Sequence, residues 1–293
     1  MFVPFLTPKK QLSKRKGGGK TGGGAKGGGG GSSAGTARTS SVSTSGTSKS
    51  ATSYGGGGGP SVAIPAGQPF SGRLEGSGTR GQVFGTQTYG SGYPGLASGA
   101  VAGRGFPFYF WPLSFGVGGV GAGAYLHSNN EYGRANNSSR PGGVMMTAAF
   151  QSNGTSGTTF RILADNTTVV DLISDISANC SASLSSSSAT TPAPYNDTAT
   201  LPPQPEQVVQ YYRASSIALS LDGYNNTSVF AAAGTPDVPL PSGIDTTLLD
   251  CLNQTIGLAA PLIDGAGSRL AGAPNSMGLL ALVWLVWVST KIM

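Results

Sequence analysis

Regular hydrophobic patterning is confined to the second half of the chain. Residues 145–151 (MMTAAFQ) and 158–163 (TTFRIL) read as strands on either side of Asn153-Gly154, a dipeptide that favours hairpin turns. Asn166 reads as a helix cap. Val169, Ile173, Ile176 and Cys180 follow at spacings of four, three and four, which builds one apolar helix face. Residues 181–203 are rich in Ser, Thr and Pro and read as an excursion loop. Pro205 and Glu206 fit the first turn of a helix running to about residue 213. Residues 217–221 and 227–233 predict two more strands, and Asp245 caps a last helix with Leu248, Leu249, Leu252 and Ile256 on its apolar face. Residues 166–171 (NTTVVD) also match 245–250 (DTTLLD), and each follows an expected hairpin. The expected fold is therefore α+β: a small ectodomain over 127–264, built as two β-hairpin–helix units that share one core.

The two cysteines, Cys180 and Cys251, fall on the two helices, so a bond between them would tie the units. Closing a loop of that size stabilises by roughly 4 kcal/mol in the chain-entropy account. All nine Asn-x-Ser/Thr sequons lie in the same stretch: Asn136, Asn137, Asn153, Asn166, Asn179, Asn196, Asn225, Asn226 and Asn253. Sequons and a cysteine pair both acquire meaning in the secretory lumen, where glycans are added and thiols are oxidised.

Composition changes the picture for the first half. Most of the 48 glycines precede residue 125. Residues 1–60 hold nine Lys or Arg and no acid, whereas the rest holds nine basic residues against twelve acids, so the net charge of +6 belongs to one tail. The expectation is a disordered Gly/Ser-rich basic arm over 1–104, because such a chain has too little apolar surface to offset about 1–2 kcal/mol of backbone entropy per residue. Its run KKQLSKRK (9–16) reads as solvated tail rather than as a nucleic-acid patch, since no Arg-Gly-Gly repeat with interleaved aromatics accompanies it.

Two apolar stretches bear on the membrane. Residues 105–126 carry no charge, crowd aromatics at one end and place Gly119 and Gly123 four apart, which suits a membrane span with close helix packing. Pro107 and Pro112 favour the alternative, a Gly-rich loop whose aromatics pack on the ectodomain. If the segment spans, the basic arm is cytosolic and the sequons lumenal. At the other end, Asp264, Gly265 and Ala266 begin a small-residue cluster. A polar spacer and the apolar run 277–288 (MGLLALVWLVWV) follow, so 265–293 has the parts of a GPI-attachment signal or a hydrophobic anchor. The opening residues 1–6 are apolar but too short for a signal peptide.

No chemistry stands out. His127 is the single histidine and no ligand cluster surrounds it, so neither a metal, a cofactor nor a nucleophile–base pair is expected. Asp171 and Asp175 stand four apart on the helix face opposite the apolar stripe and read as solvated surface.

Four segments carry a resemblance: RGFPFYFWP (104–112), NSSRPGG (137–143), LADNTTVV (163–170) and QYYRAS (210–215). The chain resembles, over about residues 50–290, a group of Gly-rich cell-surface proteins of basidiomycete fungi. The resemblance implies a surface location and no assigned activity. Members of that group begin with a hydrophobic leader, which implies one upstream of Met1 rather than a span at 105–126. The expected protein is a glycosylated, non-enzymatic surface protein whose partners are the membrane and cell-wall polysaccharide, not nucleic acid. The alternative is a tail-anchored cytosolic protein whose basic arm binds nucleic acid or anionic lipid. Removal of N-glycans by a glycosidase, read as a gel shift, separates the two.

Overall fold

Apolar alternation and β-branched content between residues 145 and 221 produce the frame of the molecule. The computed structural model describes residues 37–96, 99–116, 129–198, 201–232 and 234–265. Its strands are β1 (Thr39–Thr44), β2 (Thr47–Thr52), β3 (Val62–Ala63), β4 (Leu74–Glu75), β5 (Met145–Gln151), β6 (Thr159–Asp165), β7 (Ala193–Pro194), β8 (Val208–Tyr212), β9 (Ile217–Leu221) and β10 (Leu262–Ile263). Its helices are α1 (Asn129–Tyr132), α2 (Asn166–Asn179) and α3 (Thr246–Ala259). An antiparallel sheet of order β7-β5-β6-β9-β8 forms the frame, and a second sheet runs β1-β2-β10. The class is mixed α/β and sheet-dominated; the mixture of helix and strand and the single disulfide agree with the patterning.

Two hairpin–helix units are present, with corrections. The first is β5–β6 followed by α2, and it matches expectation to within two residues. Asp165 rather than Asn166 caps α2, its carboxylate accepting from the Thr168 amide. The second hairpin is β8–β9, not 217–221 with 227–233. Residues expected to be a helix from Pro205 make one 3-10 turn (Pro205–Gln207) and then run extended as β8. Val208, Val209, Tyr211 and Tyr212 suit a pleated, half-covered surface better than a helix. Residues 227–230 form a 3-10 turn capped by Asn226. Asp245 caps α3 as expected. The caps align Asp165 with Asp245, so the hexapeptide match is one residue out of register with the structural equivalence.

The helices α2 and α3 pack against each other, and the Cys180–Cys251 bridge joins the end of one to the middle of the other, with Cα atoms 5.8 Å apart. Strand β9 is buried along its whole length, so both faces of the sheet are covered there. Adjacent residues of β8 show what covers each. Tyr212 donates its hydroxyl to Asn253 of α3 at 2.7 Å, whereas Tyr211 meets the Tyr89 ring edge-on at 5.5 Å. Successive strand side chains point to opposite faces, so the helices cover one face and the Gly-rich segment covers the other.

That segment is the main correction. Residues 37–104 are not a disordered arm. Val42, Ala51, Ile64, Val83, Tyr89, Tyr93 and Val101 are buried in the same core as the sheet. Residues 83–86 extend the frame beyond β8, with Gly85 N–H donating to Tyr211 C=O and Tyr211 N–H to Thr86 C=O. Turns with positive φ thread the chain through close approaches. At Gly90 (φ +77°) a Cβ would fall 1.6 Å from Gly99 oxygen, a position that only glycine tolerates. The basic run 9–16 and the rest of 1–36 lie outside the described residues.

The membrane span over 105–126 is also corrected. Residues 106–116 are extended and turned rather than helical, and Phe106, Phe108, Tyr109, Phe110, Trp111, Leu113 and Phe115 are buried against the frame. Gly116 packs so tightly that an added Cβ would overlap Asp197 oxygen. Among the described residues no helix is long and apolar enough to cross a membrane. Residues 117–128, with His127, and the C-terminal run 277–288 lie outside the described residues.

Candidate functional site

The sequons sort by exposure. Asn136, Asn153, Asn166, Asn179, Asn196 and Asn225 are exposed, Asn137 and Asn253 are half-buried, and Asn226 is 0% exposed. Asn226 is committed internally: its carboxamide donates to Asp237 at 2.8 Å and accepts from Ser228 Oγ and the Val238 amide. A glycan there is incompatible with the fold, while its neighbour Asn225 is free to carry one. Asn253 accepts from Tyr212, so its carboxamide oxygen is also engaged.

Asp264 accepts from the Gly57 amide at 2.7 Å, directly after β10 pairs with β2, and Gly265 packs on Gly59. Two of the three candidate attachment residues thus pack on the 57–59 segment; Ala266 lies outside the described residues.

Asp171 and Asp175 are not solvated surface. They are 5% and 2% exposed, because β1 lies along that side of α2. Arg38 ion-pairs with both carboxylates and donates to the Asp171 carbonyl at 2.7 Å, Ser40 donates to Asp171, and Tyr54 donates to Asp175. Burial raises both carboxyls above their ordinary range despite the nearby guanidinium. The pair is a clasp for the first hairpin.

A second clasp is Arg213, fully buried in the β8–β9 turn. Its guanidinium donates to Asp165 at 2.8 Å, to Thr168, to Ser216 and to the Pro261 carbonyl, and it sits 3.5 Å from the centroid of the Phe110 ring. Burial pulls it down to about 10, against the attraction of Asp165. Arg213, Ala214 and Ser215 all have positive φ (49°, 50° and 60°). Such residues persist only where the surroundings over-determine them. Here Arg213 N–H donates to Val83 C=O, Leu113 N–H to Ser215 C=O, and Gly90 N–H to Ser215 Oγ, so the glycine-rich half supplies the restraint.

Two of the hollows among the described residues are candidate sites. The larger, about 530 Å³, lies between Gln87–Tyr89 and 228–237. Its polar groups are committed to one another: Gln87 donates to Tyr224, and Asp237 accepts from Asn226 and Ser228. The smaller, about 270 Å³, lies beneath the β1–β2 hairpin and is lined by Ser43, Ser45, Gln68, Glu75, Trp111 and Ser139 among others. Here the tip of the hairpin, Ser45-Gly46 with φ 48° and 75°, bends over Glu75 of β4. Thr44 and Ser45 donate to Glu75 Oε2 at 3.0 and 2.6 Å. Lys49 Nζ lies 3.9 Å from Oε1 and 4.4 Å from the centroid of the Tyr109 ring. Glu75 is 3% exposed, yet Oε1 has no donor within hydrogen-bond distance among the described residues. Arg140 fixes the far wall by donating to the carbonyls of Trp111 and Pro112.

The patterning missed this cleft because it lies in the half that reads as disordered. One signal was available: Glu75 is the only acid in the first 130 residues. Among the described residues no group of His, Cys, Asp and Glu could hold a metal ion. No family model, curated protein or solved structure matches the chain.

Proposed function

We propose that this chain is an N-glycosylated, disulfide-closed ectodomain held at the cell surface, with a structural or interaction role and no catalysis of its own. The observation that carries this reading is the Cys180–Cys251 bridge on the same body that exposes Asn136, Asn153, Asn166, Asn179, Asn196 and Asn225. Disulfides persist in oxidising compartments and sequons are read only there. The apolar run 277–288, downstream of Asp264, Gly265 and Ala266, supports a tether at the C-terminal side through a GPI anchor or a hydrophobic segment. Asp264 accepts from the Gly57 amide, so the proposed attachment residues lie against the β2–β10 edge of the body. Wall polysaccharide is the proposed partner, in keeping with the surface proteins that the sequence resembles. The bridge disfavours the cytosolic reading, since cytosolic thiols are kept reduced.

The test is made on chain produced in a eukaryotic secretory host. Peptide-N-glycosidase is expected to increase gel mobility, and alkylation of the cysteines is expected only after reduction. A chain with unchanged mobility and freely alkylated cysteines overturns the reading.

A further inference from the structure

The geometry points to the cleft beneath the β1–β2 hairpin as a binding site for one ring of a neutral oligosaccharide. At about 270 Å³ it is smaller than the roughly 300–1,000 Å³ of sites that enclose a drug-sized ligand, so it accepts a single small ring and not an extended chain. Its chemistry suits a polyol. Glu75 lines the cleft, its Oε1 has only Lys49 Nζ near it at 3.9 Å, and a carboxylate accepts strongly from hydroxyl donors. The Gln68 amide offers both a donor and an acceptor, the hydroxyls of Ser43 and Ser139 offer the same, and Ser45, which donates to Glu75, offers an acceptor. Trp111 and Ile64 supply the apolar wall that the C–H faces of a sugar ring need.

The charges favour a neutral ligand. Lys49 beside Oε1 offsets the carboxylate, so a cationic amine meets a like charge and an anion meets Glu75. The site is also preorganised. Thr44 and Ser45 fix Oε2, leaving Oε1 for the ligand, while Arg140 holds the Trp111 backbone.

This inference rests on the surface reading only for the source of the sugar. Glycosidase shift tests location and direct titration tests the ligand, so the two fail separately. Trp111 is the only tryptophan before residue 284. In the full chain carrying Trp284→Phe and Trp287→Phe it is therefore the sole indole reporter. The probes are a β-1,3-linked glucose trisaccharide and a β-1,4-linked N-acetylglucosamine trisaccharide, with methylammonium as the cationic control. At least one trisaccharide is expected to give a saturable change in Trp111 emission, and its identity assigns the polysaccharide. Gln68→Ala removes a side chain that lines the cleft, and it is expected to weaken binding at least tenfold with the melting temperature unchanged. Glu75→Gln, close in shape, is expected to do the same. The proposal is overturned if neither trisaccharide gives a saturable response, if only methylammonium does, or if Gln68→Ala binds as tightly as the parent.

Discussion

Residues 37–116 and residues 145–263 are both buried in one core, yet they reach order by opposite routes. The second region is organised by periodicity: alternating strands, two capped amphipathic helices and a bridge between them. Its elements make local sense before any tertiary contact exists. The first has short strands, many turns with positive φ and little periodicity, and it is ordered by what it touches. Its aromatics fill one face of the frame, its backbone amides restrain the strained β8–β9 turn, and Arg38 clasps α2. Low apolar content forbids a region from building its own core, but does not forbid it from completing another's.

The contrast predicts that the largest losses come from residues that join the two regions. Replacing Arg213 with Met strands Asp165 in the core, and a buried ion pair broken on one side costs about 3–5 kcal/mol. Denaturant unfolding should show that loss, with signals from 37–116 affected at least as strongly as those from the sheet. Next comes the bridge, internal to the periodic region. Replacing Cys180 and Cys251 with Ser opens a loop of 71 residues and should lower stability by about 4 kcal/mol in the chain-entropy account. Thermal melting of the double variant against the parent measures it.

Adjacent asparagines give a smaller and sharper comparison. Asn226→Ala leaves the Val238 amide without its acceptor and Asp237 with one donor instead of two, and should cost about 1–3 kcal/mol, while Asn225→Ala should stay within about 0.5 kcal/mol. Only the Asn225 substitution should remove a glycan, which mass spectrometry of the intact protein reads.

The smallest effect is a pH dependence of opposite sign in two carboxylate pairs. Asp171 and Asp175 are raised by burial, so the folded state holds their protons more tightly than the unfolded state. Their contribution is fully present below the unfolded value of about 3.9 and is lost as pH rises through the folded one. Asp197 and Asp245 are lowered. For Asp197, donation from Arg134 and the Ala135 amide outweighs desolvation; for Asp245, donation from Ser152 leads. Their contribution is present above about 3.9 and is lost as pH falls through the folded value. Urea midpoints across pH 3–7 should lose the first component in Asp175→Asn and the second in Asp197→Asn.

Legibility in the sequence follows the same division. Asp245 as a cap and the β5–β6 hairpin are legible because local chemistry decides them, and the cysteine pairing is legible because the chain holds two cysteines. The strand at 208–212 was mistaken for a helix because Pro205 and Glu206 do start a turn, and pairing with β9 then overrides it. Asp171 and Asp175 looked solvated because their covering strand lies more than a hundred residues away in sequence. The Glu75 cleft was invisible for the same reason. Its walls come from β1, the 64–69 turn, β4, Trp111 and Ser139, and no local pattern brings these together.

Hydrogen exchange resolved by residue on the full chain measures the relation between the two regions most directly. The account predicts strong protection at the amides of Ser53, Ile64, Gly85, Phe106 and Leu113, all of which donate to backbone carbonyls. That protection should fall in Arg213→Met before it falls at β5 and β6. Exchange of those five amides at the rate of an unstructured chain, with β5 and β6 still protected, would contradict it.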